Sequence, residues 1–344
     1  MQIAARFAGL LMIFAALSAH TLCAEDKATM NAVVAHQYGG PEVLKFERVP
    51  RPEPNDDEAL VRVIASGVNP ADPLTLTGKY AKEWGTHLPL IPGYEIAGVV
   101  EKIGAQITKL KVGQAVYGYP DFGGGWAEFV SVKESEVAPK PKSLGFVEAA
   151  AVPMGALTAW QALVKTAQLH SGQTVLVHGG SGGVGSFAVQ IAKARGARVI
   201  ATASTANQDL LKQIGADVPI DYTKTKFEDV AKDVDVVLDP VGGDTLVRSY
   251  GVVKQGGLVI SLVAHPNQAE VKKHGIRGAS VWVQPDAGDL TEIALLIDAG
   301  KIKPIVTQAL PFNEANAIAA EQQAATHHTR GKVVLKIADE PSDR

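Results

Sequence analysis

After residue 30 the chain opens with short apolar runs separated by turn residues. Ala32-Val33-Val34-Ala35, Glu58 to Ala65 and Ala97 to Ile103 read as strands, and Gly39-Gly40-Pro41, Pro92-Gly93 and Gly123-Gly124-Gly125 punctuate them. The pattern predicts a β-rich, barrel-like unit as far as about Pro153. From about Thr158 to Pro285 the rhythm changes. Thr174 to His178 is an apolar run bounded by turn signals, and Val184, Phe187, Ala188, Ile191 and Ala192 then recur at helical spacing. Strand Arg198–Thr202, helix Asp209–Ile214, strand Asp235–Leu238, a helix near Leu246-Val247-Tyr250 and strand Gly257–Ser261 follow. Strands alternating with helices imply an α/β unit with a doubly wound parallel sheet. Helices near 290–299 and 314–323 and a strand over Lys332–Ile337 read as a return to the first unit.

A chain of 344 residues exceeds what one core usually covers, which favours two domains. The formal net charge of −3 and the lack of a basic run argue against a nucleic-acid partner. The single cysteine, Cys23, excludes an intrachain disulfide and a cysteine-based metal site. Residues 1–24 have a secretory pattern: Arg6, an apolar stretch over Phe7–Ala19, then Leu22-Cys23-Ala24 before Glu25-Asp26. The stretch is too short for a comfortable membrane span. The expectation is cleavage after Ala24, a periplasmic or secreted location, and no membrane insertion of the mature chain. The alternative is a start at Met30 and a cytoplasmic protein.

The most informative stretch is Val175-Leu176-Val177-His178-Gly179-Gly180-Ser181-Gly182-Gly183-Val184-Gly185. Gly180, Gly182 and Gly185 have G-x-G-x-x-G spacing between a strand and a helix, the context that makes the motif a dinucleotide site. The first glycine permits the turn, the second admits the diphosphate, and the third lets helix and strand pack closely. Ser181, Gly183 and Val184 would complete the cradle at the helix N-terminus. NAD-selective sites place a carboxylate at the end of the second strand. Here that end reads Ala203-Ser204-Thr205-Ala206-Asn207, so a 2′-phosphate would meet hydroxyls, Ser204 among them, and NADPH is favoured with NADH as the alternative. Tyr222 and Lys224, after the third strand, are further candidates for that end.

Other stretches join this one in order: Ala35 to Leu44, Gly67-Val68-Asn69-Pro70-Ala71-Asp72, Ile91 to Val100, Val112 to Gly118 and Gly331 to Leu335. Together, from about Met30 to Ile337, they resemble the zinc-free quinone oxidoreductase (zeta-crystallin-like) branch of the medium-chain dehydrogenase/reductase superfamily. The resemblance implies a GroES-like catalytic domain over 30–153 and 286–338, a Rossmann domain over 154–285, NADPH, and a homodimer. Zinc alcohol dehydrogenases of that superfamily carry Cys at the position of Asn69 and Gly-His-Glu at Gly93-Tyr94-Glu95, so no metal is expected here. Relatives also carry an aromatic near Leu74, an Arg near Thr77 and a 2′-phosphate Lys near Gln208, which leaves substrate choice and cofactor preference less defined.

The resemblance further implies a nicotinamide near Asn69, Thr158, Leu262 and Val263, with hydride passing to a quinone or an α,β-unsaturated carbonyl compound. Asn69 would orient the carboxamide or donate to a developing oxyanion, or else hold a turn before Pro70. Water or Tyr94 would supply the proton. Tyr80, Trp84 and Trp126 are candidate apolar walls. Ala279 to Val283 is a candidate edge strand for the dimer. The competing readings are a dinucleotide-binding protein without catalysis and an alcohol dehydrogenase with an atypical metal site.

Overall fold

The computed structural model describes residues 28–326 and 328–341, and the side chain of Trp84 is not among the described groups. The signal-like segment, its cleavage position and Cys23 lie outside the described residues. Among the described residues no helix is long and apolar enough to cross a membrane.

The first part of the chain builds strands β1 (Thr29–Ala35), β2 (Leu44–Pro50), β3 (Glu58–Gly67), β4 (Ile96–Ile103), β5 (Ala115–Gly118), β6 (Phe129–Lys133) and β7 (Val137–Pro139). A parallel sheet follows from β8 (Thr174–Val177), β9 (Arg198–Ala203), β10 (Val218–Asp221), β11 (Val234–Asp239), β12 (Val253–Ser261) and β13 (Arg277–Ser280). The chain then supplies β14 (Val306–Pro311) and β15 (Lys332–Lys336), which rejoin the first sheet in the order β14-β15-β3-β4-β5-β7, with β6 also pairing β3. Strand β3 is buried over nearly its whole length, as a strand with partners around it requires. Strands β1 and β2 form an antiparallel hairpin.

The parallel sheet has the order β10-β9-β8-β11-β12-β13, so strand order reverses between β8 and β11. A crevice opens at the carboxyl ends of the strands where the order reverses, and ligands bind there in this architecture. The helix Gly185–Ala194 begins at that point. Its spacing suggests one apolar face, yet every residue from Gly185 to Ala192 is buried. The sheet covers one side and the fully buried helix Pro153–Trp160 packs against it from another. That second helix continues into a π-helical turn over Gln161–Thr166, which no periodicity signals.

The expected edge strand is displaced. Strand β13 ends at Ser280, and Val281-Trp282-Val283 continue beyond it as irregular chain. The reason is register: Ser280 is the last residue that pairs with β12, whose own strand ends at the partner residue, Ser261.

Candidate active site

The three spaced glycines are needed for different steric reasons. A Cβ on Gly180 would come within 2.9 Å of Leu211 Cδ2 and 3.0 Å of Ala201 Cβ, because the turn runs tight against β9. A Cβ on Gly185 would lie 2.1 Å from the Gly179 carbonyl oxygen, so only hydrogen lets the helix start so close to the turn. At Gly182 an added Cβ would meet protein first at 3.3 Å, leaving bare backbone for a ligand. Gly182, Gly183, Val184 and Gly185 line a cavity of about 190 Å³ together with Asn69 and Lys332. Close packing before and after an open second glycine is what a diphosphate needs at a helix N-terminus. Ser181 accepts the Gly331 N–H at 2.8 Å through its carbonyl and so ties the turn to the other domain.

Beneath the turn His178 is buried and locked. Ser249 already donates its hydroxyl to the Thr245 carbonyl (2.7 Å), so His178 Nε2 donates to Ser249 Oγ at 2.9 Å. Its Nδ1 lies 3.2 Å from Thr202 Oγ1, which also accepts the Gly179 N–H at 3.2 Å. Burial, with the nearby Arg248 charge second, pushes the His178 pKa down to about 3, so the ring is neutral. Asp239 plays a similar part at the end of β11, where its carboxylate accepts the N–H groups of Val241 (3.0 Å) and Gly242 (3.0 Å) and closes the next turn.

A larger cleft of about 1440 Å³ runs between the domains, lined by Ser181, Gly182, Ser204, Tyr222, Leu262 and Val263 on one side and Leu74, Tyr80 and Thr329 on the other. It exceeds the roughly 300–1,000 Å³ of an ordinary small-molecule pocket, leaving room for a dinucleotide and a second reactant. At the end of β9, Ser204 Oγ accepts from Asn207 Nδ2 at 3.2 Å, and both residues line the cleft beside Arg248. Arg248 is paired with Glu228 (3.0 Å) and Asp244 (3.1 Å) and lies over the Phe227 ring. Gln208 uses its amide on the carbonyls of Ala203 (2.9 Å) and Ile220 (3.2 Å), joining the ends of β9 and β10. Lys224 pairs with Asp221 at 3.5 Å. Asp221 accepts from the Thr205 and Thr223 hydroxyls, which hold its pKa down to about 2, and it does not line the cleft.

On the catalytic-domain side a buried polar knot surrounds Asn69. Lys332, at the start of β15, donates to Asn69 Oδ1 and to the Val68 carbonyl (3.0 Å) and pairs with Glu95 Oε1 at 2.6 Å. The Asn69, Glu95 and Lys332 side chains are all almost wholly shielded from solvent. The other oxygen of Glu95 accepts the Met154 N–H at 2.9 Å, at the start of the helix Pro153–Trp160, where a negative charge is favoured. Gly67 makes room for this carboxylate, since a Cβ there would lie 2.1 Å from Glu95 Oε1. Asp72 accepts the backbone N–H of Asn69 (2.7 Å) and of Gly93 (2.9 Å), while burial drives its pKa upward. Glu321 is also fully buried, neither of its oxygens has a hydrogen-bond partner among the described residues, and burial with the nearby Asp72 charge raises its pKa strongly.

Asn69 and the glycine turn thus meet at one cavity, and Ser204, Tyr222, Leu262 and Val263 meet at the adjoining cleft. Tyr94 and Thr158 line neither space. Thr75 donates to the Ala71 carbonyl, so the buried Tyr94 phenol donates to Thr75 Oγ1 at 2.9 Å, and burial raises its pKa; its proton is committed to Thr75. Thr158 donates to the Met154 carbonyl at 2.7 Å within its own helix. Of the proposed apolar walls Tyr80 lines the cleft, whereas Trp126 is fully buried in the core, with Gly93 packed on its ring. Lys332, Arg248 and His178 escaped the sequence reading. Only Lys332 carried a signal, a lysine entering a buried apolar strand directly after a glycine.

Among the described residues no set of three or more His, Cys, Asp or Glu side chains is grouped so as to hold a metal ion. Of the positions that correspond to zinc ligands in relatives, Asn69 and Glu95 flank the Lys332 ammonium.

Comparison with known proteins agrees with this geometry. Residues 55–142 match the model of the alcohol dehydrogenase GroES-like domain, and residues 214–335 match that of a zinc-binding dehydrogenase. The chain is 40% identical to a 2-methylene-furan-3-one reductase of Solanum lycopersicum, over 87% of this chain and 76% of the relative. It is 38% identical to a chloroplastic NADPH-dependent alkenal/one oxidoreductase of Arabidopsis thaliana, over 89% of this chain and 79% of the relative. The solved quinone oxidoreductase of Coxiella burnetii superposes with a TM-score of 0.83 at 32% identity, covering 90% of this chain and all of that one. With a dinucleotide turn facing a GroES-like domain, and Asn69 at a position where zinc relatives have a metal ligand, the chain belongs to the zinc-free quinone oxidoreductase branch of the medium-chain dehydrogenase/reductase superfamily.

Proposed function

We propose that this protein is an NADPH-dependent oxidoreductase that reduces α,β-unsaturated carbonyl compounds and quinones. The observation that carries the reading is the convergence of the open glycine turn, the Asn69–Lys332 pair and an interdomain cleft at one place. The relatives named above act on alkenals, an enone-type furanone and quinones, which supports the substrate class. NADPH supplies the hydride when bound. The backbone at Gly182–Val184 and the helix N-terminus would hold its diphosphate, and Ser204, Asn207 and Tyr222 would receive the 2′-phosphate. Leu262, Val263 and Asn69 line the adjoining spaces and would hold its ring against the acceptor, and positioning would provide much of the rate. Solvent in the large cleft delivers the proton, because the Tyr94 hydroxyl is committed to Thr75.

Anaerobic mixing of the protein with NADPH or NADH and a panel of 1,4-benzoquinone, naphthoquinones, enones and alcohols tests this reading. The expected result is NADPH oxidation by quinones and enones, unaffected by a chelator. Cofactor binding with no acceptor consumed would favour the non-catalytic binder. We also infer a homodimer joined along β13, the exposed edge of the parallel sheet, with Trp282 exposed beside it. A monomeric mass in sedimentation would contradict that. Export of the chain rests on its first 24 residues, and sequencing the mature N-terminus decides between Glu25 and Met30.

A further inference from the structure

We propose that Lys332 is a positioning residue for hydride transfer: by holding Oδ1 of Asn69 it presents the Asn69 amide as a hydrogen-bond donor to the oxygen that gains charge as the acceptor is reduced. The inference rests on the function proposed above. An ammonium has three donors and no acceptor. It donates to the Val68 carbonyl and to Asn69, and pairs by charge with Glu95 Oε1 at 2.6 Å. The group facing it on Asn69 must therefore be the oxygen, which fixes the orientation of an amide that could otherwise be turned either way. The nitrogen then faces away from Lys332, and Nδ2 is buried without a hydrogen-bond partner among the described residues. Asn69 lines the smaller cavity beside Gly182 and Gly183, so an acceptor arriving with the reactants is what this donor lacks. The backbone N–H of the same residue is held by Asp72 at 2.7 Å, so neither end of Asn69 is free to swing. The Lys332 ammonium itself faces three protein oxygens, those of Val68, Asn69 and Glu95. Its charge is balanced locally by Glu95, so its effect passes through the amide.

Lys332→Met alone would strand Glu95 as a buried charge, so the test pairs it with Glu95→Gln, whose side-chain oxygen can still accept the Met154 N–H. The readouts are NADPH affinity by fluorescence titration and kcat with an enone accepted by the wild-type enzyme. Thermal unfolding confirms that the paired variant is folded. The expected result for Lys332→Met/Glu95→Gln is NADPH affinity within about threefold of wild type and kcat lower by about 10²-fold, the usual effect of losing one oxyanion donor. Asn69→Asp keeps the contact with Lys332 but has no donor, and should lower kcat to a similar degree. Combining Asn69→Asp with the paired variant should add little, because both remove one interaction. Wild-type kcat in the paired variant would overturn the inference and leave Lys332 a mere counter-ion of Glu95; so would a loss confined to NADPH affinity, or full additivity. A wild-type protein that consumes no acceptor in the panel would instead overturn the proposed function and take this inference with it.

Discussion

Two glycines three residues apart should fail in opposite ways when substituted. At Gly182 an added Cβ lies 3.3 Å from the Gly179 carbonyl and 3.9 Å from that of Thr329, so the fold can accommodate a side chain there. The branches of Gly182→Val would instead enter the cavity of about 190 Å³ where the diphosphate is expected. Losing two charge-assisted backbone contacts, at about 1.5–3 kcal/mol each, removes at least ~3 kcal/mol of binding. That corresponds to about a hundredfold or greater rise in the Kd for NADPH. Gly185→Ala should do the reverse. Its methyl would lie 2.1 Å from a backbone oxygen that cannot rotate away, so the helix start must shift. Overpacking of this kind costs about 1–3 kcal/mol. In a domain of this size that lowers Tm by several degrees, at roughly 2–4 °C per kcal/mol. Fluorescence titration with NADPH and thermal unfolding without cofactor, run on both variants, separate the two effects. Wild-type affinity in Gly182→Val would refute the assignment of the turn, and an unchanged Tm in Gly185→Ala would refute the steric argument.

Ser204→Asp places a carboxylate where NAD-selective sites have one, so NADPH should bind at least about tenfold more weakly while NADH is little changed; equal loss for both cofactors would contradict the location of the 2′-phosphate. Glu321→Gln removes a buried acid whose pKa is raised in the folded state. Such a group favours folding fully below its unfolded pKa near 4.5, and that contribution is lost as pH rises toward the folded value. The Gln variant should therefore match wild type near pH 4 and gain about 1–3 kcal/mol by pH 8. Denaturant unfolding across that range checks the sign, and a variant that loses stability as pH rises would show the carboxyl to be ionised and paired.

How much of this could be read from the sequence depended on whether a feature is local. The glycine turn was legible because its three positions, the strand before it and the helix after it occupy one short stretch, and each glycine answers a constraint set within a few residues. The start of β12 was not: Val253 to Gly256 carries Lys254 and Gln255 on exposed backbone, with no apolar run to mark it. Tyr94 was recognisable as a residue of interest, but its direction depends on Thr75, on a separate helix, accepting its proton. Trp126 looked like a cleft wall until Gly93 placed it in the core. Lys332 is the clearest case. It reaches Asn69 from 263 residues away, and a lysine in a strand ordinarily extends its charge to water. Here Gly67 leaves space for Glu95, and the carboxylate holds the ammonium inside.

The place of β15 in the chain bears on the order in which the protein becomes competent during synthesis. The whole parallel sheet, with its dinucleotide turn, has been made before Lys332 leaves the ribosome, and domains generally fold as units as they emerge. A nascent or prematurely terminated chain lacking β15 could capture cofactor, yet its Asn69 amide would have nothing to fix its orientation. Incomplete molecules would then hold reductant and pass it to an electrophile only slowly.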